Sequence, residues 1–118
     1  MVLINGDKMS DLINKVAELN NLGIAFEKRG ELDGAIGCYE KNIKLRYPAT
    51  HSYERLMTLY RRLKKPDEEV RVIKIAIEVF ESEVERRRNL GIFTANIEKT
   101  VNGYMQRLEK TLERKSST

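Results

Sequence analysis

The stretch LNNLGIAFEKRGELDGAIGCY, residues 19–39, decides the fold. Its first half spaces apolar residues three and four positions apart, which gives an α-helix one apolar stripe. Gly30 ends this series, and a second apolar series begins with Ala35. Two helices joined by so short a turn must lie antiparallel. The stretch therefore predicts a helical hairpin.

The same apolar spacing continues through the chain and predicts an all-α protein. Pro48 ends the second helix, because the residue before a proline avoids helical geometry. Pro66, followed by three acidic residues, starts the fourth helix, whose end we place between residues 81 and 91. Only residues 2–4 alternate in the manner of a strand. The predicted helices cover residues 10–28, 33–46, 50–63, 66 to an end between 81 and 91, and 94–114.

Composition and charge fit a single helical domain over residues 1–118. Charged residues make up 34% of the chain, and 7 glycines with 2 prolines leave few helix breakers. The net charge of +4 is too small to name a partner. Cys38, the single cysteine, cannot form an intramolecular disulfide and indicates a reducing compartment. With no signal peptide and no apolar run near the ~20 residues of a membrane span, we expect a cytoplasmic protein.

An internal repeat appears when the chain is shifted by 34 residues, because apolar positions then fall on apolar positions. The pairs include Leu19 with Tyr53, Leu22 with Leu56, Phe26 with Tyr60, and Ile43 with Ile77. A helix pair every 34 residues is the pattern of the tetratricopeptide repeat, which the chain resembles. Residues 16–49 resemble it closely, and residues 50–83 resemble it more loosely. For residues 84–118 we predict a degenerate segment and a C-terminal capping helix, and the match of Leu90-Gly91 to Leu22-Gly23 is either chance or a decayed third repeat.

The resemblance implies a right-handed solenoid fragment of antiparallel hairpins that acts as a non-catalytic protein-binding module, a scaffold or adaptor. In this family the first helices of the hairpins line a concave groove that receives a peptide or a partner helix. The carboxylate clamp of chaperone adaptors is not carried over, because Asn20 and Ile24 occupy its positions. Ile24 instead indicates a partly apolar ligand. The predicted binding residues are Asn20, Asn21, Ile24, His51, Glu54, Arg55, Thr58 and Arg62.

Small residues in the first repeat predict close helix packing. Gly23 and Ala35 should let the two backbones approach, while Leu22, Phe26 and Tyr39 fill the space around them. In the second repeat Met57 and Glu69 stand at the two small positions, which predicts looser packing. Two repeats are fewer than the three usually needed for a stable array, so self-association as a homo-oligomer is a further expectation.

The sequence contains few of the residue types that enzymes use for catalysis. His51 and Cys38 are the single histidine and the single cysteine, and neither a metal-binding cluster nor a glycine-rich phosphate loop is present. A dyad of these two residues would join a mid-helix cysteine to the start of the next helix, so we expect incidental roles for both. We therefore predict no enzyme and no catalytic, cofactor-binding or metal-binding residues.

Two basic clusters define the alternative function, a basic helical nucleic-acid-binding protein. One comprises Arg61, Arg62, Lys64 and Lys65 at a helix C-terminus, where cations interact favourably with the helix dipole. The other, residues 86–88, is flanked by glutamates that partly neutralise it. No aromatic residue interleaves either cluster as a stacking platform. The sequence accordingly favours a protein or peptide partner over a nucleic acid or a membrane.

Overall fold

The structure, a computed structural model, describes residues 6–117 and is 85% helical, with no strand in that range. The residues 2–4 named as a candidate strand lie outside the described residues. The all-α prediction is confirmed, with α1 starting earlier than predicted and α4 continuing to Asn89. The helices are α1 (Gly6–Lys28), α2 (Leu32–Lys44), α3 (Thr50–Arg62), α4 (Pro66–Asn89) and α5 (Ala95–Ser116).

Three of the interhelical turns share the same geometry, and the first two of them lie 34 residues apart. Gly30, between α1 and α2, has a φ of 73°, and Lys64, between α3 and α4, has a φ of 57°. The next amide donates to a carbonyl five residues earlier in both turns, at 2.9 Å from Glu31 and 2.8 Å from Lys65. This bond closes the C-terminus of each preceding helix. Gly91, after α4, has a φ of 72° and the Ile92 amide donates to the Arg87 carbonyl at 2.9 Å, but this turn does not lie at the 34-residue spacing. Only the spacing of the first two turns therefore matches the sequence repeat.

The left-handed conformation is natural for Gly30 but strained for Lys64, whose Cβ approaches a carbonyl oxygen. Such a residue costs about 1 to 2 kcal/mol relative to ordinary helical geometry. Arg46, after α2, has a similar φ of 55°. Two basic side chains therefore occupy positions where glycine would relieve the strain.

The chain forms two compact units that divide between Tyr47 and Pro48. In the first unit α1 and α2 pack antiparallel, and the core residues include Val16, Leu19, Ala35, Tyr39 and Ile43. A Cβ atom on Gly23 would lie less than 3.0 Å from the Tyr39 ring, and Ala35 is fully buried. Close helix packing at both residues is confirmed.

A second close approach in the first unit was not predicted. A Cβ atom on Gly34 would lie less than 3.0 Å from the Phe26 ring, whereas Gly37, one turn further, has nothing within 4 Å. Phe26 therefore fills its space against a glycine, as Tyr39 does. Both aromatic rings need a small residue on the facing helix.

Leu22 does not pack in the core as predicted, because it is 46% exposed. The buried face of α1 instead passes through Val16, Leu19 and Gly23, a spacing of three and four residues. Leu22 lies beside this face, as does Ile13. Leu22 was expected to be buried because it is apolar, but α2 covers only a narrow stripe of α1 and Leu22 lies outside it.

In the second unit α4 packs against both α3 and α5. The rings of Tyr53, Phe80 and Tyr104, one from each helix, form two edge-to-face pairs with centroids 5.8 Å and 5.6 Å apart. Such pairs add about 0.5 to 1.5 kcal/mol each beyond their buried area. Met57 and Glu69 are fully buried. The looser packing predicted around these two residues stays a prediction.

Helix α5 buries apolar residues along its first half, but an apolar residue near its end is exposed. Ile97, Val101 and Tyr104 are buried, but Leu112 is 42% exposed. The buried position in the last turns is Thr111, which continues the spacing of three and four residues. Met105 and, on the turn after α3, Leu63 are likewise exposed rather than buried.

Candidate functional site

Three of the predicted binding residues lie on α1 in the first unit. Asn20 is half-buried, and its Oδ1 accepts a hydrogen bond of 2.8 Å from Asn42 Nδ2. The same amide also donates to the Val16 carbonyl, at 3.1 Å. Asn21 is exposed and Ile24 is half-buried. Asn20 therefore helps to hold α2 against α1, while Asn21 and Ile24 offer more of their surface to a ligand.

The other five predicted residues lie on α3 in the second unit. Positions 51, 55, 58 and 62 share one face of the helix, and Glu54 lies beside that face. His51, Arg55 and Thr58 are half-buried, whereas Glu54 and Arg62 are exposed. The structure thus brings each set together on its own helix. The single groove that would join the two sets stays a prediction.

Glu54 already has a partner from another helix. Its carboxylate accepts a hydrogen bond of 2.7 Å from the hydroxyl of Tyr104 on α5. Burial of Tyr104 raises the pKa of its hydroxyl, and the hydrogen bond and charge of Glu54 raise it further. The hydroxyl of a buried tyrosine usually has a hydrogen-bond partner, but the sequence alone does not show which residue that partner is. A ligand at Glu54 would share that carboxylate with Tyr104.

The first basic cluster gains two members that are distant in sequence. Arg61 and Lys64–Lys65, at the end of α3, line a cavity of ≈ 360 Å³ together with Arg114 and Lys115 from the end of α5. An adjoining depression of ≈ 240 Å³ shares Arg61 and Arg114 with it and adds further basic side chains of α5. The sequence reveals only the α3 part of this surface, because helix packing brings in the rest.

Glu69 anchors one wall of this cavity. Its carboxylate is 1% exposed, and Oε2 accepts hydrogen bonds from Thr111 at 3.2 Å and Arg114 at 3.4 Å. Arg107 lies 3.6 Å from the same oxygen. Oε1 is buried and has no hydrogen-bond partner within the described residues. One buried acid thus holds two guanidinium groups of α5 beside the α4 N-terminus.

The second basic cluster is partly neutralised by ion pairs, two of which are with Glu83, one of the glutamates that flank it. Arg86 and Arg87 both donate to Glu83, with Arg87 Nε 3.0 Å from Oε1. Arg88 donates to Glu98 of α5 at 2.7 Å. The hydrogen bond from Arg86 is the main cause that lowers the pKa of Glu83, while burial opposes it and Arg87 adds to it.

A larger depression, of ≈ 980 Å³, lies between the second half of α4 and the first half of α5. Its charged side chains are mostly acidic, and Met105 and Val101 contribute apolar surface. The second unit therefore presents surfaces of opposite charge near the two ends of α4. The acidic side chains of this depression are Glu78, Glu81, Glu85 and Glu98.

Known proteins offer no match to this chain. Comparisons with family models, with curated proteins and with solved structures all returned nothing similar. None of the helices in residues 6–117 has the length and apolar character that crossing a membrane requires. Within the same residues, histidine, cysteine and acidic side chains form no group of three or more that could hold a metal ion.

Proposed function

We propose that this chain is a non-catalytic protein-interaction module made of two tetratricopeptide-type hairpins and a capping helix. The recurrence of the interhelical turn carries the proposal. Gly30 and Lys64 lie 34 residues apart with the same left-handed backbone. α2 and α4 then begin at Leu32 and Pro66, again 34 residues apart. The same turn geometry also follows α4 at Gly91, so the support for a helical repeat is the 34-residue spacing shared by the two turns and the two helix starts.

The binding surface in this proposal is the polar face of the first helix in each hairpin, α1 and α3. Asn21 and Arg62 are exposed on these faces and can hydrogen-bond a peptide backbone or a carboxylate. Ile24 is half-buried and supplies an apolar contact. A partly apolar peptide or an amphipathic partner helix fits this combination. The proposal includes a cytoplasmic adaptor role, in which the module joins other proteins without a reaction of its own.

The experiment has two stages, because the partner must first be identified. The tagged full chain captures proteins from the native cytoplasm, and the protein enriched most strongly is then purified and titrated. Asn21→Ala with Arg62→Ala changes two exposed residues and should leave circular dichroism and melting unchanged. Its affinity for the purified partner should fall at least about tenfold, the equivalent of 1.4 kcal/mol. Ile24→Ala with Arg55→Ala should have a similar effect.

The matched control changes exposed lysines on the second helices, Lys41→Ala on α2 with Lys74→Ala on α4. This variant should bind the partner as the wild type does. Equal losses in the control and the α1/α3 variants would contradict the proposed surface. The alternative, nucleic-acid binding, predicts that the captured material is DNA or RNA and that its affinity falls steeply with salt concentration.

A further inference from the structure

The cavity at the ends of α3 and α5 gathers more positive charge than its acids neutralise. Arg61, Lys64 and Lys65 form no ion pair within residues 6–117, whereas Arg114 pairs with Glu69. Lys115 lies 2.5 Å from Asp67. Three cationic side chains that line the cavity are therefore uncompensated, and like charges around one cavity repel each other. An anion in the cavity would remove that repulsion.

We propose that this cavity binds a phosphate monoester dianion. A monoester carries a charge of about −1.5 to −2 at pH 7 and three strong acceptor oxygens, so it can engage several cations at once. Arg61 can present two parallel N–H donors to such a group, and Arg114 adds the Nε and Nη1 donors that its bonds to Glu69 and Thr111 leave unused. Lys64 and Lys65 add mobile point charges from the turn. The site is in the second unit alone and does not depend on the proposed α1/α3 binding surface.

Glu69 acts in this site as a positioning residue. Its buried carboxylate accepts a hydrogen bond from the Arg114 guanidinium at 3.4 Å, and the same guanidinium nitrogen donates to the Thr111 hydroxyl oxygen at 3.0 Å. The Arg114 side chain is still 41% exposed and lines the cavity. A cation held in place before the ligand arrives loses less side-chain entropy on binding. The remaining cations outnumber the acids, so the cavity stays positive.

The shape and lining of the cavity favour a monoester over the backbone of a nucleic acid. A volume of ≈ 360 Å³ is typical of a small-molecule pocket. Its lining contains no aromatic ring on which a base could stack. A phosphodiester in a nucleic acid carries a single negative charge per phosphate, which uses fewer of the converging cations. The monoester has two sources, a phosphorylated residue of a protein partner or a small phosphate compound.

Lys64 provides the sharpest test, because its side chain lines the cavity while its backbone is strained. Lys64→Gly removes the charge and relieves the strain, so it should raise Tm by about 4 °C and weaken phosphate binding at least threefold. Lys64→Gln removes the charge alone and should weaken binding equally with no rise in Tm. The matched control is Arg46→Gly, which relieves the same kind of strain in the first unit. It should raise Tm and leave phosphate affinity unchanged.

Binding is measured on the full chain in phosphate-free buffer, by amide chemical shifts during titration with inorganic phosphate, O-phosphoserine and dimethyl phosphate. We expect saturable chemical-shift changes around residues 61–69 with inorganic phosphate and with O-phosphoserine, both of which can carry two negative charges. Dimethyl phosphate, the diester, should bind at least tenfold more weakly. A capped phosphoserine peptide that binds more tightly than inorganic phosphate assigns the site to a protein partner, and equal affinities assign it to a small phosphate compound.

Three results would overturn the proposal. The first is no saturable binding of either phosphate below about 10 mM. The second is equal weakening by Arg46→Gly and Lys64→Gly, which would make the effect independent of the cavity. The third is a diester or a single-stranded oligonucleotide that binds as tightly as O-phosphoserine, which would favour nucleic-acid recognition instead. Because the probes are small phosphates, none of these results depends on the partner captured for the α1/α3 surface.

Discussion

The hydroxyl of Tyr104 on α5 donates a 2.7 Å hydrogen bond to the carboxylate of Glu54 on α3. Its ring packs edge-to-face on Phe80 of α4, so one side chain joins all three helices of the second unit. The ring is buried, while the carboxylate that it meets is at an exposed residue. This arrangement makes α5 part of the same packed unit as the second hairpin and gives Glu54 a structural role beside its predicted one.

Tyr104→Phe should test that bond without disturbing the ring packing. We expect a loss of about 1 kcal/mol in the free energy of unfolding near pH 8, since one hydrogen bond to a charged group is removed. The raised pKa of Tyr104 means that this contribution is present below the ordinary tyrosine pKa of about 10 and is lost as pH rises above it. Chemical denaturation of both proteins between pH 8 and pH 11 should show their difference shrinking. A difference in the free energy of unfolding that stays constant over this pH range would contradict the raised pKa of Tyr104.

Gly23→Ala should destabilise the first unit, because the added Cβ atom would collide with the Tyr39 ring. Overpacking of this kind costs about 1 to 3 kcal/mol. Ala35→Leu, at the other close approach, should lower the melting temperature in the same way. The matched control is Gly37→Ala, where a Cβ atom meets nothing and helix propensity improves by up to about 1 kcal/mol. Thermal melting that fails to separate Gly23→Ala from Gly37→Ala would show that the predicted contact is absent.

Glu83→Gln should remove an acid-sensitive contribution to stability. Because the pKa of Glu83 is lowered in the folded protein, its contribution is present above the ordinary value of 4.5 and is lost as pH falls below it. Near pH 7 the variant should lose about 1 kcal/mol, since its two arginine partners remain partly in water. Urea unfolding of both proteins from pH 7 to pH 3 should show the difference disappear in acid. If the stability difference between the two proteins grows as pH falls, the pKa of Glu83 is not lowered in the folded protein and the prediction is wrong.

Thr111→Val should show whether the buried polar position on α5 matters. The single hydroxyl proton lies between two acceptors, Glu69 Oε2 at 3.2 Å and the Arg107 carbonyl at 2.8 Å. The other carboxylate oxygen of Glu69, Oε1, has no hydrogen bond in the described residues. Loss of this donor should cost about 1 to 3 kcal/mol, because the buried carboxylate is left less satisfied. Thr111→Ser keeps the hydroxyl and should retain most of the stability. Denaturant unfolding that ranks valine at or above serine would contradict a role for the hydroxyl.

The helices could be predicted because local signals in the sequence mark them. Gly30, Pro48 and Pro66 interrupt the apolar spacing at the positions where turns occur. It was harder to predict which residues of each helix are buried against its neighbours. Thr111 is buried and Leu112 is exposed, because packing follows the helical angle rather than the apolar character of the residue. Single apolar side chains exposed in this way are ordinary on protein surfaces.

The candidate sites, like the helices, could be predicted only in part. Arg61 and Lys64–Lys65 stand out in the sequence as one basic run, but nothing local links them to Arg114 or to the buried Glu69. Those contacts span about half of the chain and arise only when α5 folds along α3 and α4. The predicted α1/α3 binding residues rest on periodicity and on the family resemblance. Their use by a ligand is decided by experiment, because exposure alone does not distinguish a binding residue from a solvated one.

Removal of α5 should be the most severe change to the second unit. A chain that ends at Asn89 loses the buried side chains Ile97, Val101 and Tyr104 and exposes the surface of α4 that they cover. It also leaves the fully buried Glu69 without Thr111, Arg107 and Arg114, its partners from α5. The newly exposed apolar patch favours association over solution as a monomer. We expect oligomers or aggregates by light scattering.

The matched control for this truncation ends at Leu112, which removes the exposed last turn of α5 and keeps Thr111 and the aromatic contacts. It should remain folded and lose only the ion pairs of Arg114 and Lys115. Restoring residues 95–116 as a separate peptide should return the Asn89 truncation to a monomer if α5 acts by covering the hairpin. A well-folded, monomeric chain that ends at Asn89 would show instead that the second hairpin is complete without α5, and the capping role would then be wrong.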